Sequence, residues 1–347
     1  MKKILIHSPY WHIGGGGERY ALTAAQCLSR ESLVSVDIGD NGNLTFLSKS
    51  LGLDLSRVKA VKKIAGINKV KGFDGILWLS DGSIPFMPFF ATKVIHFQAP
   101  FKNVDGKSLK NKLKLMGTKI ICNSEYTKKF IDKEFGISSI VVYPPVETDK
   151  FKPMEKDKLI LTVGRFSSSS QFKRHDLLIE TFKDLIKSGA KGWRMVIAGK
   201  VEDEQSLKII SELRSKIKGL PIAIKADLEH ERLKFLYGQS SVYWHAAGYG
   251  TDLNKFPERA EHFGISTVEA MSAGAVPFSF SAGGQLEIIS NGENGFLWTN
   301  PRELISLTKK IIDNDKLREK ISLSAISRSK YFSQEIFCQK IIKLLNC

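Results

Sequence analysis

Cysteine is scarce in this chain, and its placing does not suit zinc or redox chemistry. The 347 residues hold four cysteines, Cys27, Cys122, Cys338 and Cys347, and no two form a CxxC pair. Zinc modules and thiol–disulfide centres need such pairs, so reduced thiols in a cytoplasmic protein are the expectation. Long apolar runs are missing too, and none approaches the ~20 residues a membrane-spanning helix requires. The opening MKKILIHSPYW reaches a histidine after too few apolar residues for a secretory signal, which needs ~7–15, so it reads as a first buried strand. The dinucleotide fingerprint GxGxxG is absent. An acidic D-x-D cluster at a strand end, the usual device for bridging a diphosphate through a metal, is absent as well. The nearest string, Asp313-Asn314-Asp315, reads as a cap between helices, and no metal is expected.

What remains is a globular composition, 42% hydrophobic and 25% charged, with a length that suits two cores rather than one. The net charge of +16 is concentrated at the front, where residues 1–150 hold 22 Lys and Arg against 13 Asp and Glu. A basic excess serves nucleic acid, an anionic membrane or a phosphate-bearing substrate. No nucleic-acid module is present, which leaves the last two.

Short apolar runs recur with helical patterns between them. In the first half they are 4–8, 33–38, 75–80, 93–98, 119–124 and 139–145, with helices beginning at Glu18 and Glu125. In the second they are 159–165, 195–200, 222–227, 241–246, 276–281 and 295–298. Such alternation predicts α/β architecture, two doubly wound parallel sheets whose strand ends face a ligand cleft. Pro144-Pro145 and the polar stretch 152–158 mark the seam. The expected domains are 1–152 and 153–332, with a last helical segment, 333–347.

The segment 260–298 carries the chemistry. Glu261 and Glu269 are separated by seven residues beginning His-Phe-Gly, and a Gly-Gly pair and an Asn-Gly pair follow. Phe263-Gly264 predicts a tight turn, and Ser266 to Ala273 a short helix with Ser266 as N-cap and Gly274 as its stop. The free amides of such a helix start suit a phosphate. Carboxylates on either side can accept hydrogen bonds from sugar hydroxyls, which points to a nucleoside diphosphate sugar. Ser266-x-x-Glu269 is also a capping box, in which Glu269 would only return a bond to the helix start. In the first half, GGGGERY opens a helix after the first strand, and its glycines permit close approach of a phosphate or sugar. In the second, Arg165 ends a strand and Lys173 follows a serine-rich insert, a pair of cations suited to a diphosphate. The adjacent Arg174 is an alternative to Lys173.

These motifs resemble the retaining glycosyltransferases of family four, which have the GT-B fold. The EHFGI variant, preceded by YWHAAGYG, is most similar to the dolichol-pathway α-mannosyltransferases and their bacterial relatives. The resemblance implies a GT-B pair of Rossmann-like domains, an acceptor-side one first and a nucleotide-sugar-binding one second, with the last helix crossing back onto the first. It implies transfer of a hexosyl group, mannosyl favoured, from a nucleotide diphosphate sugar to a glycan or lipid-linked hydroxyl, in polysaccharide or glycolipid assembly. GDP-mannose is the favoured donor, with a UDP-sugar as the alternative, and no cofactor is implied. The catalytic set is His96, Arg165, Lys173 and Glu261. The donor contacts are Gly15, Gly16, Gly17, Arg165, Lys173, His245, Glu261, Phe263, Gly264, Ile265, Ser266 and Glu269. Tyr249 shares the expectation for His245, to touch base or sugar, and His262 reads as a turn residue. A sugar-nucleotide epimerase of the same fold and a non-catalytic nucleotide-sugar-binding protein are the alternatives.

A basic stretch completes the reading. Across 102–119, helical spacing puts Lys107, Lys110 and Lys114 on one face and Leu109, Leu113 and Met116 on another. Such a helix either lies on an anionic membrane, making the protein peripheral on the inner membrane face, or covers a sheet. The segment IPFMPFF (84–90) either adds apolar contacts for lipid or is core.

Overall fold

The computed structural model describes residues 1–11, 15–64, 70–167 and 173–346. Gly14 of the glycine-rich loop, most of the serine-rich insert and Cys347 lie outside the described residues. The chain forms two compact units, Met1–Pro145 with Gln334–Cys347, and Val146–Ser333.

The first unit holds strands β1 (Lys3–His7), β2 (Leu33–Val36), β3 (Val58–Ala60), β4 (Gly75–Ser80), β5 (Thr92–Phe97), β6 (Thr118–Cys122) and β7 (Ile140–Val141). They form one parallel sheet in the order β3-β2-β1-β4-β5-β6-β7. Its helices are α1 (Gly16–Leu28), α2 (Asn41–Leu51), α3 (Leu109–Leu115) and α4 (Glu125–Phe135). Alternate residues of a strand face opposite sides, and both sides here are apolar. Ile4 and Ile6 pack with Tyr20, Ala24 and Leu28 of α1, while Leu5 joins Ile131 and Phe135 of α4 on the other face. β3 has no counterpart among the expected strands, because Val58-Lys59-Ala60 is broken by a lysine and forms no apolar run.

The second unit repeats the plan with β8 (Asp157–Val163), β9 (Arg194–Gly199), β10 (Ile222–Ala226), β11 (Ser240–His245), β12 (Val276–Phe280) and β13 (Phe296–Trp298). The order is β10-β9-β8-β11-β12-β13, again all parallel. Helices α5 (His175–Lys187), α6 (Glu204–Lys216), α7 (His230–Gln239), α8 (Ile265–Ser272), α9 (Gln285–Ile288), α10 (Pro301–Ile312) and α11 (Asp315–Ser329) complete it. In each unit the order reverses beside the first strand, at β1/β4 and at β8/β11. Ligands of open α/β sheets bind at the carboxyl ends of the strands at such points. Asn314 caps α11 by accepting from the Leu317 amide, and Asp315 pairs with Arg318, so this acidic string serves helix ends.

The final helix, α12 (Gln334–Asn346), belongs to the first unit. Phe337, Ile341 and Leu345 join the core of α1, and Phe337 meets Tyr20 edge-on at 4.8 Å. This return corrects the expectation of fully reduced thiols. Cys338 of α12 and Cys27 of α1 form a disulfide, although 311 residues separate them. Spacing along the chain could not reveal a pair made by one terminal helix lying on another. Cys122 is buried and free.

The basic segment needs a second correction. α3 begins only at Leu109, capped by Ser108, so Lys107 lies outside it. Of its leucines only Leu115 packs, partly buried, against the core of this unit, while Leu109 and Leu113 stand exposed, so the helix does not cover the sheet with a full apolar face.

Candidate functional site: a charged cluster at the second switch point

β8 and β11 end side by side, and the groups that follow them meet. The Lys173 ammonium donates to Glu261 Oε2 at 2.6 Å, and His245 Nε2, at the end of β11, lies 2.9 Å from the same oxygen. A Cβ on Gly164 would stand 2.7 Å from Lys173 Cγ, so the bare strand end lets the lysine stem pass. The three side chains are nearly enclosed, at 13%, 3% and 12% exposure for Lys173, His245 and Glu261. Burial by itself would raise the Glu261 carboxyl. The Lys173 ammonium and the His245 hydrogen bond outweigh it and hold the group well below the ordinary carboxylate range. Burial lowers His245, so the ring is neutral. With Nε2–H directed at a carboxylate, Nδ1 is an acceptor, and it is buried without a partner among the described residues.

Beside this cluster α8 starts, and its start corrects the expected cap. Gly264, not Ser266, is the N-cap, at φ +123°, a value that favours glycine. The amides of Thr267 and Val268 already bond to Gly264 O. Those of Ile265 and Ser266 have no carbonyl acceptor among the described residues, so the expected phosphate seat narrows to these two N–H groups. Thr267 Oγ1 is buried there without a partner among the described residues. The Ser266 hydroxyl receives the Tyr243 phenol at 2.8 Å instead of capping the helix. Glu269 Oε2 accepts from the Tyr237 phenol at 2.8 Å. Burial raises both phenols, which keeps them protonated as donors. The Gly-Gly pair acts behind this segment. A Cβ on Gly283 would lie 2.2 Å from Glu261 O, and one on Gly284 2.5 Å from Phe263 Cα. Only glycines there let the 261–263 segment settle against the start of α9. Phe263 itself is buried against Phe332.

Other expected residues are placed differently. Arg165 turns its guanidinium to Glu202 at 2.8 Å. Arg174 bonds Tyr249 O and pairs with Asp176, apart from the Lys173–Glu261 contact. Tyr249 packs on Phe280 and Trp298 in the core, and His262 Nε2 meets Glu258 O within its turn. Gly15, Gly16, Gly17 and His96 belong to the first unit. Gly15 N–H donates to Glu18 Oε2, and a Cβ on Gly17 would meet the Gln98 side chain at 2.5 Å. His96, expected in the catalytic set, is fully buried near the end of β5, and Tyr20 stacks over it at 3.8 Å. Burial lowers it to about 3, and neither ring nitrogen has a partner among the described residues.

Sequence reasoning missed Tyr237, which no motif marks, Tyr243, which opens YWHAAGYG but was not singled out there, and a dyad at the first switch point. His7, the last residue of β1, stacks on Trp78 and places Nδ1 2.5 Å from Asp37 Oδ2. Asp37 also accepts from Trp11 Nε1 and the Ile64 amide. The only signal was a histidine closing an apolar strand, which had been read as part of that strand.

A cation, a carboxylate and a neutral imidazole thus lie beside two helix-start amides that have no carbonyl acceptor among the described residues. A family profile described as glycosyl transferases group 1 matches residues 146–328, the span that holds this cluster. The chain belongs to that family. Its fold is that of the GT-B glycosyltransferases. The Anabaena protein HepE, solved with UDP and glucose, aligns over 100% of both chains at a TM-score of 0.73 and 16% identity. A Rickettsia africae glycosyltransferase aligns over 99% of this chain and 98% of its own, at a TM-score of 0.76 and 18% identity. Among curated relatives, a Dictyostelium discoideum GDP-Man:Man(3)GlcNAc(2)-PP-Dol alpha-1,2-mannosyltransferase is 25% identical over 231 residues, 61% of this chain and 43% of its own. An uncharacterized glycosyltransferase of Methanocaldococcus jannaschii is 27% identical over 221 residues, 62% and 56% respectively. The chain spans about half the length of the curated relatives it matches.

Proposed function

We propose that this transferase moves a hexosyl group, mannosyl favoured, from GDP-mannose to a hydroxyl of a glycan or lipid-linked acceptor, with retention at the anomeric carbon. The observation that carries the reading is the enclosed Lys173–Glu261–His245 cluster beside the open Ile265 and Ser266 amides. Under this reading the second unit binds the donor and the first the acceptor. The diphosphate sits on the two amides and draws the Lys173 ammonium from Glu261. Glu261 and the bare His245 Nδ1 then take sugar hydroxyls, and Glu269, steered by Tyr237, takes the ribose diol. Arg165 exchanges Glu202 for the diphosphate.

As the bond from the anomeric carbon to the phosphate oxygen breaks, the cation and the amides stabilise the charge on the departing diphosphate. The acceptor oxygen bonds to the same face of that carbon, and its proton passes to the phosphate oxygen that leaves. No side chain forms a covalent intermediate. On the acceptor side, His7, oriented by Asp37, and the glycine-rich loop are the groups we assign. A lipid-linked acceptor makes the protein peripheral on the inner face of a membrane.

Calorimetry with GDP-mannose, UDP-glucose and UDP-N-acetylglucosamine tests the donor, and nucleotide release with and without lipid extract tests transfer. Tight GDP-mannose binding with lipid-dependent GDP release is the expected result. Binding of a UDP-sugar alone reassigns the donor. Binding without release under every acceptor returns a non-catalytic binder.

A further inference from the structure

The segment 84–90 and helix α3 together leave six large apolar side chains in solvent. Phe86, Phe89, Phe90, Leu109, Leu113 and Met116 are between 55% and 84% exposed. The first three are not loose ends. Ile84, Met87 and Pro88, interleaved with them, are buried and pin the backbone so that the phenylalanines stand outward. Two lysines join the loop to the helix. Lys114 Nζ donates to Ile84 O and stands 4.7 Å over the Phe86 ring. Lys93 Nζ donates to Met116 O and stands 5.0 Å over the Phe89 ring. The result is one surface in which rings, aliphatic tips and cations alternate.

Its charge is mostly of one sign. From Gly82 to Ser124 the sequence holds seven lysines and a single carboxylate, Asp105, and the Glu134 carboxylate of α4 accepts from the Val104 and Gly106 amides beside it. Lys102, Lys107, Lys110 and Lys112 are exposed around the apolar tips. A contiguous apolar patch rimmed by cations needs a partner that is apolar within and anionic at its rim. A second copy of the same face would bring lysine against lysine.

We infer that this surface docks the first unit onto an anionic phospholipid bilayer. The phenylalanine and leucine side chains enter the boundary between headgroups and acyl chains, and the lysines reach the phosphates. The inference deepens the proposed use of a lipid-linked acceptor, but its test needs neither donor nor acceptor.

Co-sedimentation with phosphatidylglycerol-containing and pure phosphatidylcholine vesicles, at low and high salt, reads the docking. The wild type should bind the anionic vesicles at low salt and release them at high salt. Changing Lys107, Lys110 and Lys112 together to Gln should weaken low-salt binding roughly five-fold per lysine, on the order of a hundred-fold in all. Changing Phe89 and Phe90 to Ser should weaken binding at both salt concentrations, with an unaltered thermal melt as the check on folding. A wild type that ignores anionic vesicles or binds neutral ones equally overturns the inference. So does either variant binding as tightly as the wild type, and so does a concentration-dependent dimer, lost in the phenylalanine variant, without vesicle binding. Calorimetry with nucleotide sugars is run in parallel. Vesicle binding without nucleotide binding would leave the docking standing and remove the transferase proposal.

Discussion

Lys173 and Glu261 neutralise each other, so removing the carboxylate frees a cation. Glu261→Gln should therefore bind free nucleoside diphosphate at least as tightly as the wild type, while transfer falls by about 10²–10³. Calorimetry and a turnover assay on one preparation check both halves. A parallel loss of affinity would show that Glu261 supports the seat rather than the sugar. Tyr237→Phe leaves Glu269 without the phenol seen at 2.8 Å, which should cost roughly 0.5–1.5 kcal/mol of nucleotide binding. A drop in thermal stability with unchanged affinity would make that bond structural. The glutamates were legible because their spacing around a helix start is a local pattern. The tyrosines, His7 and the partner of Arg165 were not, since each acts across a fold that brings distant residues together. Tyr237 and Glu269 are 32 positions apart, and Arg165 and Glu202 are 37 apart.

Among elements, α8 shows most directly how packing decides chemistry. Its open amides depend on Gly264 as cap, and the 261–263 segment is held by Gly283 and Gly284. Gly284→Ala places a methyl 2.5 Å from Phe263 Cα and His262 O. Since both neighbours are backbone, the segment must shift, at a cost of about 1–3 kcal/mol. The expected outcome is a lower melting temperature together with weakened donor binding; a melt lowered alone would uncouple the glycine from the seat. The strands were readable because both faces of each sheet are covered, which leaves continuous apolar runs. The start of α8 was misread because serine is a common cap, whereas the fold needs a positive φ two residues earlier. For α3, periodicity separated lysines from leucines but carried nothing about which side meets the sheet. The segment 84–90 divides residue by residue, a pattern too short for any helical or strand period to express.

On the scale of the molecule, three neutral imidazoles make stability depend on pH. Burial lowers His96 and His175 to about 3, and lowers His245 as well. The unfolded chain protonates these rings near pH 6.5 and the folded one does not, so their stabilisation is present above that pH and lost as pH falls. Each ring removes up to about 1.4 kcal/mol per pH unit below 6.5 until its folded value is reached. Denaturant midpoints should therefore fall steadily from pH 7 to pH 4; a flat profile would place water or another partner on those rings. The Cys27–Cys338 bond joins helices from the two ends of the chain, and Cys338→Ser should lower unfolding free energy by about 2–5 kcal/mol. Equal denaturant midpoints for variant and wild type would leave α12 held by its apolar contacts alone. The same return of α12 has a consequence for biosynthesis. The first unit is translated early but lacks its last helix until the whole second unit has been made. At ~5–20 residues per second, the side of α1 that meets α12 through Tyr20, Gln26 and Cys27 stays uncovered for roughly ten to forty seconds, long enough for a chaperone to hold it.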